Sequence, residues 1–328
     1  MVKGILKISQ INIIYILKYS VIAFFTILLF FNSSFLKAES YAVASRHHLA
    51  TDIGMKVLNE GGNAIDAAVA VGFALAVVNP SAGNLGGGGF MLIHLAETNE
   101  TISIDYRERA PAKSYEKMFQ DNSGKVIKGL SLNSILASGV PGTISGMFYA
   151  SEKYGTVNIK ELINPSIELA RKGFLLSAFQ AKNLNKYKKK FSKNKEAKKI
   201  FTRPNGFSEG DYLVQTNLGN TLRKISINGK DEFYSGGTAK KISDFFQRNK
   251  GILSLKDLNE YKIRVIKPVC GKYRDYKICS MAPPSSGGIA LIQMLNILEN
   301  FDLNKFEHNS EEYLRLLIAT MDYAYKDR

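Results

Sequence analysis

Ser81-Ala-Gly-Asn-Leu-Gly-Gly-Gly-Gly-Phe90 sets four consecutive glycines between two apolar segments. Glycine loses more backbone entropy on ordering than any other residue, so an ordered run of it marks a path where side chains would collide with a close neighbour. A phosphate cradle would need Lys-Ser/Thr after the last glycine, or a strand-loop-helix Gly-x-Gly-x-x-Gly with an acidic residue further on. Here Phe90-Met-Leu-Ile-His94 follows, an apolar strand leaving the loop, with no lysine. Locally, the stretch reads as a tight crossing beneath a sheet and not as a nucleotide site.

The flanks of this loop predict a helix before it and strands after it. Residues 49–59 and 64–77 carry helical periodicity; the first helix stops at Gly61-Gly62, and Asn63 with Asp66 three residues on forms a capping box for the second. Ala67, Ala68, Ala70, Ala74 and Ala76 make that second helix thin and apolar, suited to lying flat against a sheet. Strands are expected at residues 41–45, 90–95 and 101–106. Helices are expected at 159–172, 218–228, 238–249, 255–261, 289–299 and 310–325. The pattern is that of layered α/β (α+β) architecture.

The chain has 328 residues, 45% of them apolar, enough for one large domain or two closely packed ones. Lys3, Lys7 and Lys18 precede the apolar run Val21–Phe31, and Leu36-Lys-Ala38 follows a polar spacer, a secretory-leader arrangement with cleavage after Ala38. An uncleaved membrane anchor is the alternative, since apolar character extends patchily back to Ile11, but Lys18 interrupts it and the run falls short of the ~20 residues that span a bilayer. Residues 1–38 are therefore read as a signal peptide, 39–328 as the folded region, and the location as periplasmic or secreted. Much of the formal charge of +15 is local: residues 182–203 hold ten basic side chains against Glu196 alone. Such a run suits contact with nucleic acid or an anionic surface; in an exported protein a solvated helix face is the preferred reading, with no nucleic-acid partner.

Export bears on the two cysteines. Residues 268–279 read as a hairpin about a two-residue turn at Arg274-Asp275, which pairs Tyr273 with Tyr276 and places Cys270 opposite Cys279 on a non-hydrogen-bonded pair. A disulfide is within reach there. Two reduced neighbours are the alternative, since Arg-Asp is not a favoured hairpin turn. No metal ligand set and no cofactor is read.

Five motifs occur in order: Asn59-Glu-Gly-Gly-Asn-Ala-Ile-Asp-Ala-Ala-Val-Ala70, the glycine run, Ile104-Asp-Tyr-Arg-Glu-Arg-Ala-Pro111, Ala137-Ser-Gly-Val-Pro-Gly-Thr143 and Ser280-Met-Ala-Pro-Pro-Ser-Ser-Gly-Gly288. Together they resemble the large subunit of the gamma-glutamyltranspeptidases, or glutathione hydrolases, over residues 41–328. The resemblance implies the four-layer αββα sandwich of the N-terminal-nucleophile hydrolases, completed by a small subunit cut from the same precursor. It implies a γ-glutamyl transferase and hydrolase acting on glutathione and other γ-glutamyl compounds, with membrane contact only through the leader before cleavage.

Catalytic side chains are harder to place. The histidines are His47, His48, His94 and His308, and Gly-x-Ser-x-Gly does not occur. Ser285 and Ser286 come nearest to a serine nucleophile, yet at a helix start they read as N-caps. In the resembled family the nucleophile is a threonine at the head of the small subunit, whose own α-amino group serves as base. It is expected downstream of Arg328, so no catalytic residue is assigned in this chain. The motif match makes Arg107 the residue that grips the α-carboxylate of the γ-glutamyl group, work for which a planar two-pronged donor is suited. Against it stand a salt bridge from Arg107 to Asp105 or Glu108, and Arg109 as a rival two residues on. Other readings are a related amidase, acting as a polyglutamate-processing enzyme or a cephalosporin-type acylase, and a non-catalytic binding protein.

Overall fold

Helix α1 (His48–Asn59) ends before Gly61, which takes φ +92°, and Asn63 opens α2 (Ala64–Val78) with a capping box. The computed structural model describes residues 41–82 and 84–328, and the leader expected at 1–38 lies outside them. Asn63 Oδ1 accepts from the N–H groups of Ile65 and Asp66, and Asp66 Oδ2 accepts from Asn63 N–H at 2.9 Å. The same carboxylate, wholly buried, also accepts from the Thr156 N–H and hydroxyl and from Val157 N–H. A local cap thus doubles as a tertiary clamp on the turn between α3 (Thr143–Tyr154) and α4 (Ile159–Lys172).

The thin alanine-rich helix does not lie on a sheet, as its composition suggests. It runs between helices, packed chiefly by α1, α4 and α3. Val69, Ala70, Phe73, Ala74, Val77 and Val78 are fully buried, and small alanine side chains let neighbouring helices approach on several sides. Around this core the chain adds β3 (Phe174–Leu175), α5 (Ala178–Lys186), β4 (Tyr212–Leu213) and α6 (Thr216–Asn228), the last lying along α4. Next come α7 (Gly237–Arg248) and α8 (Leu255–Asn259).

Strands β1 (Phe90–Leu95) and β2 (Glu100–Asp105) pair antiparallel, and β5 (Arg264–Ile266) joins the other edge of β2. The strand expected at 41–45 is absent. That segment is irregular, and Val43 packs into the core beside Gly54 of α1 and Val71 of α2, so its apolar character serves packing and not a ladder. The lysine-rich stretch is helical but broken into α5, Lys188–Phe191 and Lys195–Phe201, with Asn194 capping the third piece. Phe191 and Phe201 meet at 5.4 Å between ring centroids beneath it, leaving most of the lysines exposed.

Strands β6 (Val269–Tyr273) and β7 (Tyr276–Ser280) pair Tyr273 with Tyr276 and Cys270 with Cys279, and the two cysteines are bonded. The unusual turn is supported from outside: Arg274 takes φ +52°, its N–H donates to Glu299 Oε1 at 2.7 Å, and its guanidinium lies over the Tyr273 ring. Helix α9 (Gly287–Leu298) covers this hairpin and α10 (Glu311–Lys326), N-capped by Ser310, packs on α9. Both keep apolar side chains in solvent, among them Ile289, Leu291, Leu314, Ile318 and Met321.

Two stability outcomes follow from these contacts. Asp66→Ala leaves buried donors on Thr156 and Val157 unpaired and should cost about 3 kcal/mol, with Asp66→Asn restoring part of it, read as a shift in urea midpoint. Reduction, or Cys270→Ala with Cys279→Ala, removes a short closed loop and should cost about 2–3 kcal/mol by chain entropy. Unchanged melting after reduction would contradict that figure.

Candidate functional site

The glycine run finds its close neighbour in Tyr106. Its backbone continues the β1–β2 ladder by one step, Tyr106 N–H donating to the Gly89 carbonyl at 3.0 Å and Gly89 N–H donating back at 3.3 Å. A Cβ added at Gly88 would lie 2.6 Å from the Tyr106 carbonyl oxygen, and one at Gly89 would lie 2.8 Å from the ring. From the other side, Gly142 abuts the Tyr106 carbonyl and Gly146 abuts its ring. The Gly87 carbonyl accepts from Gly142 and Thr143 N–H at 2.8 and 3.0 Å, binding the loop to the start of α3. Burial pushes the Tyr106 phenol up to about 12, so it stays neutral.

Beyond Tyr106 the chain leaves the strand with the Arg107 peptide held at both ends. Arg107 N–H donates to Asp105 Oδ1 at 3.0 Å, while Asp105 Oδ2 receives the Arg264 guanidinium through Nε, at 2.9 Å, and Nη2. The Arg107 carbonyl accepts from the Tyr261 hydroxyl at 2.9 Å. Tyr261 in turn stacks on Tyr234, ring centroids 5.6 Å apart, and the Arg109 guanidinium lies over the Tyr261 ring, 5.8 Å from its centroid. Tyr234 donates to the Pro141 carbonyl and accepts from Ser145 N–H. Desolvation raises both phenols, against the lowering pull of Arg109 on Tyr261, so both hydroxyls remain donors at neutral pH.

Arg107 and Arg109, two residues apart, share a strand face only if the strand continues. It does not: β2 ends at Asp105, and Arg109 pairs its backbone with Val140. The two side chains therefore part. Arg107 lines a cavity of about 350 Å³ together with Glu108, residues 88–90, residues 284–286 and a second arginine, Arg328. Of the two salt bridges that compete with substrate for Arg107, the one to Asp105 is pre-empted because Arg264 occupies that carboxylate, and none forms to Glu108. No ion pair among the described residues engages Arg107, and its side chain is exposed.

Ser285 and Ser286 share that cavity, but the capping read for them holds only in part. Ser286 stands at the N-cap position of α9 with φ −77° and ψ −14°, not the extended geometry from which a side chain reaches back, and it makes no cap bond. Ser285 Oγ accepts from Gly287 N–H at 3.3 Å. Tyr261, Tyr234 and Arg264 escape sequence reading because each sits far along the chain from the residues it holds. Their one local sign is an aromatic or basic residue at the edge of short elements.

Helices α1–α4 packed around a common core, with antiparallel strands and a glycine loop leading into an arginine-lined cavity, define an α/β fold of the N-terminal-nucleophile hydrolase type. A family model described as Gamma-glutamyltranspeptidase matches residues 50–328, and the chain belongs to that family. The glutathione hydrolase proenzyme of Escherichia coli K12 is 45% identical over 295 residues, 89% of this chain and 51% of that protein. The Helicobacter pylori gamma-glutamyltranspeptidase structure superposes with TM-score 0.86 at 46% identity, covering 89% of this chain and 84% of that one. The transpeptidase CapD of Bacillus anthracis superposes with TM-score 0.72 at 34% identity, over 88% and 92%. The chain spans about half the length of the curated relatives it matches.

Gly142 offers a direct check on the packing that presents Arg107. A methyl group there meets the Tyr106 carbonyl and the Tyr261 hydroxyl, both fixed by hydrogen bonds. Gly142→Ala should destabilise by about 2–3 kcal/mol through overpacking, whereas Gly210→Ala, at a site open to solvent, should cost about 1 kcal/mol for its positive φ alone. Chemical denaturation of the two variants compares them.

Proposed function

We propose that this chain is the large-subunit part of an exported γ-glutamyltransferase and glutathione hydrolase. The complete enzyme would cleave the γ-glutamyl amide of glutathione and related compounds and pass the glutamyl group to water or to an amino acid or peptide. A threonine in the part of the relatives' length that this chain does not span would carry the acyl group, its own α-amino group acting as base. Family membership supports the reaction class, and the word proenzyme in the relatives' names supports a precursor that splits into two subunits.

The observation that carries the reading is Arg107: exposed in the cavity, outside every ion pair among the described residues, and mounted on a peptide fixed at both ends. A guanidinium so placed lacks a carboxylate, and the α-carboxylate of a γ-glutamyl donor supplies one. The solvent-facing apolar side chains of α9 and α10 support a cover from the remainder of the precursor, the small subunit. The lysine-flanked apolar run of residues 21–31 and the Cys270–Cys279 bond support export to the periplasm or beyond, where disulfides persist. Likeness to CapD, described as a transpeptidase, keeps a related amide-transferring enzyme as the second reading, in which Arg107 holds a terminal glutamyl carboxylate.

The test uses the full precursor. Arg107→Ala should lower kcat/KM for γ-glutamyl-p-nitroanilide by about 2–5 kcal/mol of transition-state stabilisation, and Arg107→Lys should recover only part. Self-cleavage, followed on a gel, should survive because it involves no substrate carboxylate. Should Arg109→Ala prove the crippled variant and Arg107→Ala near normal, the carboxylate site is misplaced.

A further inference from the structure

We infer that Tyr261 is a positioning residue for the Arg107 guanidinium, its hydroxyl fixing the Arg107 carbonyl so that the side chain keeps one approach to a bound carboxylate. The inference rests on the carboxylate reading of Arg107 and adds a residue from a distant part of the chain to it. A two-pronged contact tolerates displacements of only about 0.5 Å and 10–20° before it degrades. The guanidinium lies at the end of a long, flexible side chain, so a small tilt of its parent peptide displaces it by more than that. Arg107 has left the ladder: its flanking peptide groups are held by Asp105 on the N–H side and by Tyr261 on the carbonyl side.

Tyr261 is itself a rigid fixture. Its ring lies against Tyr234 at an interplanar angle of 10°, and Arg109 faces it at 5.8 Å. Tyr234 is anchored to the start of α3 through Pro141 and Ser145. Arg109, the rival for the substrate, thereby acquires a different task, as a cation against the ring that holds its neighbour. Removing the Tyr261 hydroxyl leaves the ring stack intact and takes away a single bond.

The experiment is steady-state kinetics of the processed two-subunit enzyme with γ-glutamyl-p-nitroanilide, for Tyr261→Phe, Tyr234→Phe, Arg107→Ala and Tyr261→Phe with Arg107→Ala. Tyr261→Phe should raise KM about 3- to 10-fold, the worth of one hydrogen bond, with kcat within about twofold and self-cleavage unchanged. Tyr234→Phe should lower Tm without raising KM, because its hydroxyl serves α3 and not the Arg107 peptide. In the Arg107→Ala background, Tyr261→Phe should have no further effect on KM. An unchanged KM for Tyr261→Phe beside a crippled Arg107→Ala overturns the positioning role while leaving the carboxylate site standing. A normal Arg107→Ala overturns both. Equal KM increases for Tyr261→Phe and Tyr234→Phe, tracking lost Tm, would mean general loosening and also overturn it.

Discussion

The packing of four glycines against Tyr106 is the constraint on which the site depends. Gly88 and Gly89 approach it from the loop, Gly142 and Gly146 from the start of α3, and each stands where a methyl group would collide with the tyrosine. The loop, the end of β2 and the head of α3 consequently meet at one residue. That meeting decides where β2 stops and hence where Arg107 emerges. The entropy lost in ordering four glycines is offset by a buried ring and by the paired hydrogen bonds that extend the ladder.

Asp66 and Asp105 are buried carboxylates that hold backbone groups in this fold. Asp66 joins the cap of α2 to the turn after α3, and Asp105 holds the Arg107 N–H while its other oxygen is neutralised by Arg264. A buried carboxylate without such partners would be costly. Committing Asp105 to Arg264 also keeps it from Arg107, whose cation stays outside every ion pair among the described residues. The two arginines of the Asp-Tyr-Arg-Glu-Arg motif are sorted by the same geometry, one into the cavity and the other onto the Tyr261 ring.

Local features of this fold were readable from residue order alone. The Asn63–Asp66 capping box, the 159–172 helix and the hairpin register that brings Cys270 to Cys279 follow from caps, periodicity and turn position, all of which act within a few residues. What could not be read depends on distant partners. The two-residue strands β3 and β4 are too short to leave an alternating pattern, and the strand expected at 41–45 gave way to packing of Val43 in the core. In the site, the motif match pointed to Arg107, whereas the two-residue spacing could not say whether its side chain and that of Arg109 share a face, which depends on β2 ending at Asp105. Tyr261 and Arg264, more than 150 residues away from the peptide they secure, carry no sequence signal of that task.

The lysine-bearing helices between residues 182 and 203 alter the meaning of the molecule's isoelectric point. The first 38 residues contribute +4 and this segment +9 of the total +15, leaving +2 for everything else. A pI near 9.5 therefore describes one region and not the whole surface. Toward a charged resin such a protein behaves as an electric dipole rather than a uniformly basic sphere, held by one side and released once salt shortens the screening distance to a few ångströms.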